Sequence, residues 1–328
     1  MTDDSQLHVR TSVDVERVRS WATQYIWGTS GFPYSVAPYA SVSVRSPVAN
    51  LPNLRSVTAL RIKVEGNETV AYHFVPDSST NRLVLFHGGH EAALDDQNFE
   101  PKKIRGLHQT LKTLLARRYA VIAFNMPGWQ TPNPELGFPG GAVDHPEPQM
   151  SLSGGGSPLR LFLEPVAAAL NSVISRYKTF AMTGLSGGGW TTTLYAAVDT
   201  RITLSVPVAG SVPLYMRVGG YSQDWEQTVP DFYSQVGYPD LYALGAHGIG
   251  RRQIQVLNLM DDCCFGRDQH RLPKPFDACL RTYESQVQQV VSPGGGSFMV
   301  YLDDEPDHHM ISNKSINQVL MPSLDSLT

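Results

Sequence analysis

The stretch from Thr179 to Gly188 is Thr-Phe-Ala-Met-Thr-Gly-Leu-Ser-Gly-Gly, and it contains the pattern Gly-x-Ser-x-Gly around Ser186. A short, partly apolar strand is predicted before the pattern, and a helix over 187–197 is predicted after it. A sharp turn between strand and helix exposes the serine hydroxyl, and the flanking glycines let strand and helix approach closely. Because a serine hydroxyl is a poor nucleophile unless it is exposed and activated by a base, Ser186 is the candidate nucleophile.

Apolar runs alternate with predicted helices on both sides of this motif. The strand-like runs are Arg82–Phe86, Tyr119–Asn125, Thr179–Thr183, Ile202–Ala209, Ile254–Met260 and Phe298–Leu302, and the main helical patterns are Leu107–Ala116, Leu159–Tyr177, Gly187–Ala197 and Phe276–Val291. Such alternation is typical of a parallel sheet covered by helices on both faces. Two earlier runs, Ser56–Val64 and Thr69–Val75, have no helix between them and predict an antiparallel start. We therefore expect an α/β fold with a mostly parallel sheet of about eight strands.

The chain is predicted to form one domain over residues 56–328, preceded by an extension at 1–55. Within the extension, helical spacing from Val13 to Ile26 predicts an amphipathic helix, and the Pro- and Ser-rich stretch 31–52 predicts an irregular wrap. Insertions at 130–157 and 211–250 interrupt the alternation. Because long insertions at strand ends often carry function, we expect them to wall the active-site cleft or form a lid.

Composition excludes several classes of partner. The formal net charge is -4 and no block of like charge occurs, which argues against nucleic acid or an anionic membrane as a partner. The polar N-terminus has no signal-peptide pattern and no 18-residue apolar run occurs, so a cytoplasmic location is expected. The three cysteines predict either reduced thiols or one bridge from Cys263 or Cys264 to Cys279. Their spacing does not suit a zinc site.

From about residue 55 to its end, the chain resembles the α/β-hydrolase superfamily, in its esterase and prolyl-oligopeptidase-like branch. Members place the serine, the acid and the histidine in that chain order, with the last two after late strands. The segment Asn258–Asp261 resembles their Gly-x-x-Asp strand ending, with Asn in the glycine position. The resemblance implies that Asp261 orients the base, and Asp262 is the alternative.

The candidate base follows the next predicted strand, in the run Asp-Asp-Glu-Pro-Asp-His-His that ends at His309. The segment His309–Ser312 resembles the His-x-Ile/Phe start of the last helix in these enzymes. The resemblance implies His309 as the general base, because histidine titrates near working pH, and His308 is the alternative. Adjacent histidines alone do not predict a metal site, since no third ligand has a fitting spacing.

The segment Leu83–His90 resembles the His-Gly-x loop that supplies oxyanion donors in the superfamily. The resemblance implies the backbone N–H groups of Gly187 and Gly89 as donors, with that of His90 as the alternative to Gly89. His87 is expected to brace this loop.

Four residues are candidate substrate contacts: His90, Trp129, Trp190 and Trp225. An ordinary surface position for His90, and core packing for Trp129 and Trp190, remain open. Trp225 lies in the acidic cluster Asp224-Trp225-Glu226, which is expected either to bind a polar group, a sugar or an amine of the substrate, or to be a solvated face.

Together, the resemblance implies a serine hydrolase that cleaves a small carboxylic ester through an acyl-enzyme, with a preference for short acyl groups, on a carbohydrate for example. No metal or organic cofactor is expected, and oligomeric state is left open. Two alternatives stay open. One is a prolyl-oligopeptidase-like peptidase, although about 55 leading residues are too few for the usual propeller. The other is a lyase or binding protein that uses the same fold.

Overall fold

The computed structural model describes residues 7–34, 40–78, 81–90, 101–130, 141–142, 146–217, 224–266 and 276–327, with side chains at 101–105, 129–130 and 141–142 excepted. Strands in the described part are β1 (Ala40–Val44), β2 (Leu54–Val64), β3 (Asn67–Pro76), β4 (Arg82–His87), β5 (Ala120–Phe124), β6 (Trp129–Gln130), β7 (Gly141–Ala142), β8 (Thr179–Leu185), β9 (Ile202–Val208), β10 (Arg252–Asn258) and β11 (Ser297–Asp303).

Nine of these strands form one sheet, in the order β1-β2-β3-β5-β4-β8-β9-β10-β11. The pairs β1–β2, β2–β3 and β3–β5 are antiparallel, and the pairs from β5 through β4, β8, β9 and β10 to β11 are parallel. The separate pair β6–β7 is antiparallel. The predicted α/β fold with an antiparallel start and a mostly parallel sheet is therefore confirmed.

The strand number is nine, rather than about eight. The additional strand is β1, which lies in the stretch 31–52 that was predicted to be an irregular wrap. It is an edge strand whose three central residues are exposed. Its sequence Ala-Ser-Val-Ser-Val does alternate, but the run is short and follows a stretch rich in Pro, Ser and Tyr, so the alternation was not interpreted as a strand.

Helices flank the sheet: α1 (Ser12–Trp27), α2 (Pro101–Ala116), α3 (Arg160–Val173), α4 (Gly187–Val198), α5 (Pro230–Tyr233), α6 (Tyr238–Ala246), α7 (Phe276–Val291) and α8 (Met321–Asp325), the last preceded by a π-helical stretch Ser315–Leu320. The 211–250 insertion thus contains α5 and α6, besides 3-10 turns at Leu214–Met216 and Trp225–Gln227. None of the described helices is both long and apolar enough to cross a bilayer.

The sheet separates two hydrophobic cores because successive side chains of a strand point to opposite faces. On β4, Leu83 and Leu85 join the core that includes side chains of α1, α3, α4, α6 and α7. Val84 and Phe86 join the other core, which includes side chains of α2 and α8. Helix α4, which directly follows Ser186, is buried along its whole length.

The N-terminal helix is held against the centre of the molecule by a buried arginine. Arg19 on α1 donates from Nε to the Ala197 carbonyl (3.0 Å) and from a terminal nitrogen to the Leu244 carbonyl (3.0 Å). These carbonyls belong to the last turns of α4 and α6, where orphan acceptors need donors. The division of the chain at residue 55 stays a prediction.

His73 on β3 gives the fold a pH dependence. Its side chain is buried, its Nε2 lies 2.8 Å from the Tyr177 hydroxyl, and burial, with a smaller effect of Arg176, lowers its pKa to about 4. An unfolded histidine titrates near 6.5, so between about pH 6.5 and 4 the unfolded state binds the proton and the folded state does not. Stability contributed by neutral His73 is therefore lost as pH falls through this window.

We expect His73→Gln to reduce this pH dependence. Between pH 7 and pH 5, the free energy of unfolding of the wild type should fall by about 2 kcal/mol more than that of the variant. Urea denaturation at both pH values measures the difference. Equal losses in the two proteins would contradict the assignment.

Candidate active site

Ser186 lies at the turn between β8 and α4 in a strained backbone conformation, with φ 59° and ψ −126°. Such positive φ values are rare for residues other than glycine and persist where the surroundings enforce them. Here the Ser186 N–H donates to the Val208 carbonyl (3.0 Å), and its carbonyl accepts from the Trp190 N–H (2.9 Å). The predicted strand–turn–helix is thus formed, with Ser186 partly exposed at its tip.

The glycines around Ser186 allow this turn to pack directly on the loop after β4. A Cβ on Gly188 would lie 2.8 Å from the Gly89 nitrogen and closer still to the His87 carbonyl oxygen. A Cβ on Gly184 would lie 2.7 Å from the same His87 oxygen. Because real Cβ atoms do not approach other atoms so closely, both positions require glycine.

The proposed oxyanion donors Gly89 and Gly187 lie next to each other. Gly89 has φ 75°, and a Cβ there would lie 3.4 Å from the Gly187 nitrogen. The Gly89 N–H, however, donates to Nδ1 of His87 (3.2 Å). To donate to an oxyanion, the Gly89 N–H must break this hydrogen bond to His87. The His90 N–H is the alternative donor, and both possibilities remain open.

His87 is suited to brace this loop. Burial, and to a lesser extent the nearby His90, lowers the pKa of His87 to about 3, so its ring is neutral. A neutral imidazole can accept at Nδ1 while its proton resides on Nε2. His87 therefore stabilises its own loop and does not form an imidazolium at ordinary pH.

His309 and Asp261 form a buried pair. Nδ1 of His309 lies 2.7 Å from Oδ2 of Asp261, and neither side chain has more than 2% of its surface exposed. The other carboxylate oxygen of Asp261 accepts the N–H groups of Cys263 (2.8 Å) and Cys264 (2.9 Å). Burial by itself raises the pKa of Asp261, but the hydrogen bond and charge of His309 and the two N–H donors together lower it, so Asp261 is ionised.

The second ring nitrogen of His309, Nε2, is buried and has no hydrogen-bond partner in the described part of the chain. Since the carboxylate of Asp261 fixes Nδ1 as the protonated nitrogen, Nε2 carries the lone pair. Buried side-chain nitrogens usually have a hydrogen-bond partner, so an acceptor without one suggests that a donor from another residue or from a substrate binds there.

Asp262 and His308, the alternatives, occupy different places. Asp262 is half exposed, accepts the backbone N–H of His309 (2.9 Å) and lies 3.3 Å from Nδ1 of His308. Nε2 of His308 lies 3.5 Å from Asp307. Asp262 thus holds the backbone of His309, while Asp261 holds its ring.

The sheet register brings these elements to one edge. Leu185 pairs with Val208, and Val208 pairs with Val256, so β8, β9 and β10 end side by side. Parallel pairing then continues to β11. Ser186, Asp261 and His309 all follow the carboxyl ends of these strands, the edge at which open α/β sheets bind ligands.

Two buried polar residues that sequence reasoning did not select hold the loop carrying His309. Asn258 donates from Nδ2 to the Met310 carbonyl (2.8 Å). Asp303, with no exposed surface, accepts the hydroxyls of Ser312 (2.5 Å) and Ser315 and the N–H of Glu305 (3.0 Å). Their position at strand ends was visible in the sequence, but their partners become neighbours only in the folded chain.

The cysteines were predicted to be reduced or to form one bridge to Cys279, and both predictions are wrong. Cys263 and Cys264 form a disulfide with each other, and Cys279 is free. Cys279 lies on α7, whereas the two bonded cysteines lie on the turn that supplies N–H groups to Asp261. Predictions from cysteine spacing assume disulfides that link distant segments of the chain, so they did not indicate a bond between adjacent residues.

The candidate tryptophans lie in different environments. Trp190 has no exposed surface, donates from Nε1 to the Tyr233 hydroxyl (2.7 Å) and packs edge-on against Phe162, so it is a core residue and not a cleft wall. Trp225 is partly buried and donates to the Pro146 carbonyl (2.8 Å). The side chain of Trp129 lies outside the described residues.

Trp225 also lines a cavity of about 640 Å³ between α1, the 148–158 loop and the 225–231 segment. Its other lining residues include Tyr25, Pro158 and Pro230. Neither Ser186 nor His309 contributes to this lining, so the cavity does not coincide with the candidate catalytic residues.

His90 links the oxyanion loop to the acidic cluster. Its ring lies against Gly187, since a Cβ there would be 2.8 Å from Cε1 of His90, and its Nε2 lies 3.2 Å from Oδ2 of Asp224. The expectation of a solvated acidic face is wrong for Glu226, which has no exposed surface, whereas Asp224 is exposed.

No protein-family model matches the sequence, and no curated protein matches it. Solved structures do match. The methylesterase BT1017 superposes with a TM-score of 0.62 at 13% identity over 96% of this chain, which spans only 63% of the methylesterase. An acetyl xylan esterase from Paenibacillus sp. R4 gives 0.58 at 16% identity over 99% of this chain and 98% of that one.

A third match is acetyl xylan esterase 1 from Thermoanaerobacterium sp. JW/SL YS485, with a TM-score of 0.56 at 13% identity over 98% of this chain and 96% of that one. The three superpositions extend over nearly the whole of this chain. The chain therefore has the α/β-hydrolase fold, as the resemblance in sequence implied. At these identities, the likeness concerns the fold alone.

Proposed function

We propose that this protein is a serine hydrolase that cleaves carboxylic esters through an acyl-enzyme. Ser186 is the nucleophile, His309 the general base and Asp261 the residue that orients it. The observation that carries the proposal is the buried His309–Asp261 pair, whose Nε2 has no partner among the described residues, at the sheet edge where Ser186 occupies a strained turn.

In the first half of the reaction, Nε2 of His309 accepts the proton of the Ser186 hydroxyl as its oxygen attacks the ester carbonyl carbon. The carbonyl oxygen becomes an oxyanion, which accepts hydrogen bonds from the Gly187 N–H and from that of Gly89 or His90. As the tetrahedral intermediate collapses, the alcohol leaves with the proton from His309. The acyl group remains on Ser186.

In the second half, a water molecule gives its proton to His309 and attacks the acyl carbon. Collapse of this intermediate returns the proton to Ser186 and releases the carboxylic acid. The net reaction consumes one ester and one water and yields one acid and one alcohol.

The ionised Asp261 serves this cycle electrostatically. Its carboxylate holds the Nδ1 proton of His309 and stabilises the imidazolium that forms twice per turnover. Its lowered pKa means that it does not take the proton itself. Within a buried pair, such a fixed charge acts more strongly than it would in water.

For the substrate, we propose short acyl esters of a small alcohol or a carbohydrate. Two of the structural neighbours are acetyl xylan esterases and one is a methylesterase, which supports a small group on at least one side of the ester. This step rests on analogy between folds.

Ser186→Ala should lower kcat/KM for p-nitrophenyl acetate by at least about 10⁴-fold, because no other group replaces the attacking oxygen. Labelling by a fluorophosphonate probe should disappear in the same variant. Ser153→Ala is the matched control, because Leu152-Ser153-Gly154-Gly155 repeats the letters around Ser186 without the preceding strand. Retained activity or labelling in Ser186→Ala would refute the proposed nucleophile.

The kcat values of variants at Asp261 and Asp262 should show which of the two aspartates orients His309. We expect Asp261→Asn to lower kcat on the order of 10³- to 10⁴-fold, because an amide no longer enforces the reactive tautomer of His309. Asp262→Asn removes one half-exposed acceptor and should lower kcat by less than about tenfold. Steady-state rates of both variants measure this, and the reverse order would make Asp262 the orienting acid.

The acyl preference is tested with p-nitrophenyl esters of increasing chain length. We expect kcat/KM to be highest for acetate and to fall for long chains. Hydrolysis of long-chain esters only would exclude the short-acyl proposal, while faster cleavage of a matched anilide than of the ester would favour a peptidase.

A further inference from the structure

We propose that His90, Asp224 and Glu226 form a binding site for a divalent transition-metal ion such as Zn²⁺, beside the candidate oxyanion loop. His90 belongs to the candidate oxyanion loop, so the site adjoins the proposed ester chemistry, but metal binding does not require that chemistry. The sequence alone predicted no metal, because His90 and the two acidic residues are separated by more than 130 positions along the chain.

The three side chains converge in the fold. One ligand atom from each lies within 4.8 Å of the others, and Nε2 of His90 lies 3.2 Å from Oδ2 of Asp224. Zinc bonds to nitrogen and carboxylate oxygen are about 2.0–2.2 Å long, which places ligand atoms roughly 3–4 Å apart. Small side-chain adjustments therefore suffice to close the site around one ion.

Glu226 is the independent indication that a ligand belongs here. Its side chain has no exposed surface, and neither carboxylate oxygen has a hydrogen-bond partner in the described part of the chain. Burying an unpaired carboxylate is costly, and buried charges are ordinarily paired or bound to metals. A cation held between Glu226 and Asp224 removes this cost.

The electrostatics agree with that geometry. Burial, and next the charge of Asp224, raises the pKa of Glu226 to about 8. The backbone N–H of Glu226 and then the Gln227 amide act in the opposite direction on this pKa, but neither carboxylate oxygen has a partner at hydrogen-bonding geometry in the described part of the chain. Without a cation, Glu226 is therefore mainly protonated near neutral pH, whereas a cation held beside Asp224 favours its ionised form.

The backbone around Glu226 is held in place. Its carbonyl accepts the Tyr233 hydroxyl (3.3 Å), and the next carbonyl, of Gln227, accepts the Tyr238 hydroxyl (2.9 Å). The neighbouring Trp225 packs edge-on against Phe162, with ring centroids 5.7 Å apart. Ligands whose positions are fixed by such contacts lose little freedom when a metal binds.

The ligand set selects the class of ion. One imidazole and two carboxylates suit Zn²⁺, and their two negative charges match a dication. Ca²⁺ and Mg²⁺ favour sites with more oxygen ligands. An organic ammonium carries a single charge and cannot coordinate the imidazole nitrogen. Exposure of Asp224 leaves a path for the ion from solvent.

The test is a calorimetric titration of the full, chelator-treated chain with ZnCl₂. The wild type should bind one equivalent at this site, and thermal unfolding should shift to higher temperature with added Zn²⁺. Glu226→Gln and Asp224→Asn should each weaken binding by more than about 100-fold, because loss of an outer partner of a ligand already costs about 10–100-fold. Asp231→Asn, at an exposed position of the same insertion, is the matched control and should bind as the wild type does.

A second readout shows where the ion binds. Co²⁺ bound by imidazole and carboxylates gives only weak visible bands, whereas binding to cysteine adds an intense thiolate charge-transfer band. Absence of Zn²⁺ binding by the wild type, undiminished binding by folded Glu226→Gln, or a thiolate band would each overturn the proposal. Because binding is measured without an ester, failure of the proposed hydrolase activity would leave this result unaffected.

Discussion

The close backbone contact between the Ser186 turn and the loop after β4 is the constraint on which the rest of the site depends. Gly184 and Gly188 leave no room for a side chain between the two segments. Their contact sets the position of the Gly187 N–H relative to Gly89 and imposes the positive φ of Ser186. Local strain at such a turn is tolerable because helix α4 is buried along its length and anchored by Arg19.

Opposite this turn, a polar network positions His309. Asp261, Asn258 and Asp303 are buried, and each makes hydrogen bonds to the turn after β10 or to the loop that carries His309. These buried hydrogen bonds favour one arrangement of the loop, since a movement that broke them would leave further buried donors and acceptors unpaired. The proposed general base, His309, thus has hydrogen bonds to both its ring and its backbone before a substrate arrives.

The 211–250 insertion forms part of the hydrophobic core. Its helix α6 packs in the same core as α4 and α7, and its tyrosines stack among themselves and hold Trp190. The insertion also brings Asp224 and Glu226 to His90, next to Gly187. Through this contact, a ligand bound at the acidic cluster would adjoin the loop next to the proposed nucleophile, Ser186.

Sequence alone predicted the main alternation of strands and helices and the turn at Ser186, because these depend on local periodicity and on glycine spacing. Resemblance to known motifs added two short lists of candidate acids and bases. Tertiary structure decided which aspartate meets the histidine ring, since Asp261 and His309 are 48 positions apart and only strand register brings them together. It likewise revealed the pairing of β1 with β2 at the sheet edge, and the burial of Trp190 and Glu226. Burial and pairing are properties of distant neighbours, and no local pattern encodes them.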